Sequence, residues 1–160
     1  MAEELYLGVD WSSGSWFAVA FDPGGFDHAA VFDEIGELWH RYEERAASVL
    51  VDIPIGLIEE GEEGRRCDEL ARDALGPRSA SVFTPPVREA TRKRRYPAAQ
   101  RVNERKANAG LSKQAFAMSD GIVAVDELLR NVPEARATFA ESHPEVCFRA
   151  LAGDSLQHSK

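Results

Sequence analysis

Between Leu5 and Phe32 the chain spells three short β-runs separated by two turn signals, and this pattern constrains the rest of the fold. Leu5, Leu7 and Val9 alternate with Tyr6, Gly8 and Asp10, the period of a strand with two unlike faces. A Ser12-Ser13-Gly14 turn leads into the aromatic run Trp16 to Phe21, so the first two runs form a hairpin. Asp22-Pro23-Gly24-Gly25 is a second strong turn signal, followed by Phe26 to Phe32. Three consecutive antiparallel strands are expected.

Asp33 can cap a helix in which Ile35, Leu38, Trp39 and Tyr42 form one apolar stripe. Val49 to Ile53 is a continuous apolar run interrupted by Asp52 and stopped by Pro54, the signature of a strand covered on both faces. Arg65 to Leu75 carries Cys67, Leu70, Ala71 and Ala74 at helical spacing and ends at Gly76-Pro77, and SASVFTPPVR then reads as a loop. A basic helix beginning near Tyr96-Pro97 runs to about Ala109-Gly110, and another places Ala115, Met118, Ile122, Val125 and Leu129 on one face before Pro133. Ala137 to Glu141 reads as a fifth strand, followed by a helix from Ser142 that stops at Gly153. The order predicts an α/β fold: a mixed five-stranded sheet with flanking helices and a helical insertion before the fifth strand.

A chain of 160 residues with 44% hydrophobic content can bury a substantial core but is short for two full domains, so one domain over 1–160 is expected. No apolar stretch approaches the roughly 20 residues a membrane helix needs, and MAEELYLG lacks the features of a signal peptide; a cytoplasmic protein is expected. Cys67 and Cys147 stand alone in helical patterns and read as small buried apolar residues, supporting neither a zinc site nor a disulfide framework. The net charge of −8 argues against indiscriminate nucleic-acid binding, but Arg88 to Lys106 holds eight Lys or Arg against two Glu, a local balance of +6 that leaves −14 elsewhere. Such a segment is either a solvated helix face or a selective contact to a phosphate backbone.

An ionised carboxylate within a strand needs a partner or a metal. Asp10 and Asp52 are two such residues, and if the first and fourth strands are neighbours their carboxylates lie side by side, an arrangement best reconciled by Mg2+ or Mn2+. The bland alternatives stay open: Asp10 bonding the Ser12-Ser13 turn, and Asp52 the backbone before Pro54. Glu141, closing the fifth strand, is the third candidate ligand. Glu145 has a sufficient structural role in the capping box Ser142-x-x-Glu145. His143 stands near a helix start, where a histidine is more often structural than a proton shuttle.

The segments GVDWSSGSWFAVAFD, VLVDIPIGL, RRCDELARDALGPRSASVFTPPVREA, GLSKQAFAM, DELLR and ESHPEVCFRALAG together resemble the domain-of-unknown-function 429 family (DUF429), predicted nucleases of the ribonuclease H-like fold. The resemblance runs over nearly the whole chain. It implies a metal-dependent nuclease or phosphodiesterase in which Asp10 and Asp52 hold divalent ions, with Glu141 as an added acid. It also implies that Arg78, Ser81, Thr84 and Arg88 line the cleft and meet phosphate, joined by Lys113 and Gln114; an internal salt-bridge network is the competing use of those cations. Proteins resembling this family continue past HSK into a further acidic helix that this chain is expected to lack, which would favour self-association, with a dimer as one form. Two other functions are weighed: a non-catalytic nucleic-acid-binding or assembly module of the same fold, and a phosphate binder related to actin-like ATPases and sugar kinases, suggested by Asp10-Trp-Ser-Ser-Gly-Ser.

Overall fold

The computed structural model describes residues 3–153, and the chain divides after Ile55, Ser119 and Ser142 into two compact units. Along the sequence the elements are β1 (Leu5–Ser12), β2 (Ser15–Asp22), β3 (Gly25–Phe32), α1 (Ile35–Tyr42), β4 (Ala46–Val51), α2 (Arg66–Leu75), α3 (Arg88–Thr91), α4 (Tyr96–Ala107), α5 (Lys113–Ala117), α6 (Ser119–Asn131), α7 (Pro133–Thr138), β5 (Phe139–Glu141) and α8 (Pro144–Ala152).

The first unit holds the whole sheet. Ser13 and Gly14, at φ 53° and 82°, make the two-residue connection whose positive dihedrals match the twist of the β1–β2 hairpin. The Asp22 carboxylate accepts the Gly24 and Gly25 amides at 2.7 and 3.0 Å, fixing the β2–β3 turn. Strand order is β3-β2-β1-β4-β5, with β1, β2 and β3 antiparallel and β1, β4 and β5 parallel. This is the mixed five-stranded α/β arrangement of a ribonuclease H-like fold.

Alternation then separates the two sheet faces. Leu5, Leu7, Val9, Trp16, Ala18, Ala20, Val49 and Val51 are buried together with Ile35, Leu38, Trp39 and Tyr42 of α1 and Ile122, Val125 and Leu129 of α6. Tyr6, Gly8, Asp10, Phe17, Phe21 and Leu50, on the opposite face, are exposed. The β4 run, expected to be covered on both sides, is therefore covered on one among the described residues.

Other boundaries moved for local reasons. The fifth strand is three residues long because α7 claims Ala137 and Thr138: Pro133 pre-sets the first helical turn, and Thr138 Oγ1 donates to the Glu134 carbonyl at 2.9 Å. The cap position of α8 falls on His143 rather than Ser142.

In the second unit, Val87, Ala90, Ala99, Val102, Ala107, Leu111 and Ala115 make a small core. Asn103 is buried beside it, accepting from the Val87 amide at 2.9 Å and donating to the Ala109 carbonyl at 3.0 Å. The loop expected over SASVFTPPVR begins inside a 3-10 turn, Gly76–Ser81. The stripe expected to face inward on α2 does not: Cys67 and Leu70 are exposed, while Asp68 and Leu75 are buried. The reason is Arg65, whose guanidinium meets the Asp68 carboxylate through two bonds of 2.9 and 2.6 Å, making a polar face tolerable inside. No helix among the described residues is long and apolar enough to cross a membrane.

Candidate functional site

Parallel pairing of β1 with β4 sets the central geometry. Val9 faces Val51 in register, and the Asp52 amide donates to the Val9 carbonyl at 3.1 Å. Asp10 and Asp52 are thus the next residues on adjacent strands, on the face opposite the buried valines, with strand axes about 4.8 Å apart. Asp10 is exposed, directly across β2 from Phe17, and Asp52 is half-buried. The neighbouring strands expected from sequence are present, and they bring Asp10 and Asp52 to adjacent positions.

Glu141 lies elsewhere. Its register partner is Val51, so it falls on the helix-covered side with Phe139, and its Oε2 accepts the Ile55 amide at 2.9 Å. Among the described residues no group of three or more His, Cys, Asp or Glu is placed to hold a metal ion. Two carboxylates nonetheless suit Mg2+ or Mn2+, hard cations that keep several waters and take one or two protein carboxylates.

The expected phosphate ligands all belong to the second unit. Arg78 sits in the 3-10 turn, where its carbonyl accepts from Ser81 Oγ at 2.9 Å. Thr84 Oγ1 accepts from Arg72 at 2.9 Å. Arg88 opens α3 paired with Glu59, its amide donating to the Ile58 carbonyl at 2.9 Å. Lys113 and Gln114 are exposed on the first turn of α5, which Ser112 caps by accepting the Ala115 amide at 3.0 Å.

The basic segment is partly answered by its own acids. Glu89 meets Lys106 at 2.8 Å and Lys93 and Arg105 at 3.5 Å. The Lys106 hydrogen bond is the main reason the Glu89 carboxyl is held below its usual range, and the same contact raises Lys106. Arg94, Arg95 and Arg101 remain exposed.

Two features of the first unit escaped the sequence reading. A cleft of about 570 Å3 is lined by Trp11 and Trp16, with Asp33, Glu34, Asp120 and Glu127 among its polar groups. His28 bridges Asp27 and Tyr42, with contacts of 2.5 Å from Nδ1 and 2.6 Å from Nε2. Burial is the main reason the Tyr42 hydroxyl is pushed above its ordinary pKa. Only the adjacency of Asp27 and His28 could have been noticed; the cleft gathers three distant segments.

Fold and site together define an α/β protein of ribonuclease H-like topology with a carboxylate pair on its central parallel strands. The family model for proteins of unknown function DUF429 matches residues 8–160, and the chain belongs to that family. No curated protein and no solved structure gives a significant match.

Proposed function

We propose that this chain is a metal-dependent phosphodiesterase acting as a nuclease, located in the cytoplasm. The observation that carries the reading is the adjacency of Asp10 and Asp52 on neighbouring parallel strands, joined by the Asp52 amide and Val9 carbonyl. A bound Mg2+ or Mn2+ would polarise the phosphodiester and lower the pKa of a coordinated water. Asp10 and Asp52 would hold and orient that ion, and the surrounding sheet would fix their spacing. Arg78, Ser81, Thr84, Arg88 and Lys113 are proposed to meet the nucleic acid, Arg88 after exchanging Glu59 for a phosphate. The exposed Arg94, Arg95 and Arg101 would add backbone contacts that weaken with salt.

One observation favours the non-catalytic reading. Glu141 is engaged with the Ile55 amide on the other side of the sheet, so the acidic set is smaller than a two-ion mechanism uses.

The test is Mn2+ calorimetry with cleavage assays on single-stranded, duplex, hybrid and junction substrates. Wild type is expected to bind the ion and cleave, and Asp10→Asn and Asp52→Asn to lose both. Oligonucleotide binding without ion binding or cleavage would replace the nuclease with a nucleic-acid-binding module.

A further inference from the structure

We propose that the open face of the sheet is the contact surface of a homodimer, in which two copies pack face to face. Tyr6 on β1, Phe17 and Phe21 on β2, Phe26 and Val31 on β3 and Leu50 on β4 are each between 43% and 66% exposed. They lie on one side: Tyr6 pairs with Phe21, Phe21 with Phe26 and Phe17 with Val31, while Leu50 pairs with Gly8, two residues along β1 from Tyr6. Phe21 and Phe26 already meet edge to face, with ring centroids 6.2 Å apart.

Two arguments favour a cover. Leu50 lies on β4, which has parallel neighbours on both sides, and strands of that kind are usually buried on both faces. Aromatic side chains carry roughly 150–250 Å2 each, so six half-exposed residues present on the order of 500 Å2 of apolar surface, near the upper end for a monomer.

Area selects a second copy as the occupant. A stable interface buries about 800 Å2 per partner, and the fully buried part of a homodimer contact is about 65% apolar, close to what these residues would supply. Two sheets stack with faces about 10 Å apart, and a two-fold axis makes the contact self-complementary. Charge chooses the direction of that axis: running across the strands, it sends the two Asp10 carboxylates to opposite ends of the contact, whereas an axis along the strands would bring them together. The inference does not rest on the nuclease reading, but Asp10 shares this face and pairs with Phe17, so the dimer would cover the proposed metal site and the single chain would be the form that meets nucleic acid.

Sedimentation equilibrium of the full chain tests it, comparing wild type with Phe21→Lys, Val31→Lys and, as a control on another exposed apolar residue, Phe148→Lys in α8. Phe21 and Val31 face solvent in the single chain, so both variants should fold, as judged by circular dichroism. Each substitution enters a two-fold interface twice, so both should raise the dimer dissociation constant by at least roughly a hundredfold, while Phe148→Lys leaves it unchanged. A wild type that stays single at about 100 µM, or a dimer indifferent to charge at Phe21 and Val31, overturns the proposal.

Discussion

The indole of Trp11 occupies the space that a side chain on Gly121 would need: a Cβ there would stand 2.7 Å from Cδ2 and 2.9 Å from Cε3. Gly121 lies in α6, where alanine would ordinarily be favoured by about 1 kcal/mol. Overpacking of a filled site costs about 1–3 kcal/mol and opposes that gain. Gly121→Ala should therefore lower stability, read as a lower urea midpoint with altered tryptophan fluorescence. A midpoint at or above wild type would show that the indole swings aside freely.

Arg65 and Asp68 form the most buried ion pair described. Asp68→Ala takes two charge-assisted bonds of 2.9 and 2.6 Å from a buried guanidinium, so it should lower stability in chemical denaturation by about 1.5–3 kcal/mol. Replacing both with apolar residues of similar size, Arg65→Met with Asp68→Leu, should recover most of that loss. If Asp68→Ala is mild, solvent reaches Arg65 more easily than its burial implies.

Glu141 is expected to act through the Ile55 amide. Glu141→Gln keeps an acceptor oxygen and should leave Mn2+ affinity close to wild type, whereas Glu141→Ala should lower stability by about 1–3 kcal/mol. Loss of ion binding in Glu141→Gln would return this residue to the metal site.

Two titrations should mark opposite ends of the pH range. The Glu89 carboxyl is lowered in the folded chain, so its contribution is present above the ordinary carboxylate pKa and is lost as pH falls through the folded value. Glu89→Gln should flatten the acid limb of thermal stability plotted against pH.

Tyr42 is raised, so its contribution is complete below the ordinary phenol pKa of 10.0 and is lost as pH climbs through the folded value. Tyr42→Phe should flatten the alkaline limb and leave the acid one untouched. Unchanged alkaline melting would mean that another group governs that limb.

Much of the first unit was legible because its signals are local. The hairpin turns depend on residues within four positions of one another, and the α1 stripe Ile35, Leu38, Trp39 and Tyr42 is buried as its spacing predicts. The placement of Asp10 beside Asp52 followed from one topological inference, that a helix crossover returns β4 to β1. What escaped depended on distant partners. The inward face of α2 is a salt bridge, invisible to a reading that sorts residues by hydropathy. Six residues of α7 are too few to show a helical period against a strand reading of their last two. The expected long helix through Ala115 and Leu129 divides at Met118, which caps α5 before α6 begins. The exposure of Leu50 could not be read from a run that looks apolar throughout.

The edge strand β5 joins Val49, Leu50 and Val51 only when residues 139–141 arrive, after residues 56–119 of the second unit and helices α6 and α7 have been made. At roughly 5–20 residues per second, a nascent chain would hold β4 with one unpaired hydrogen-bonding edge for on the order of ten seconds. An open apolar edge is a template for wrong partners, including the same strand on a neighbouring ribosome. The second unit is therefore also a delay line in synthesis, and the finished sheet requires its most exposed intermediate to survive that wait.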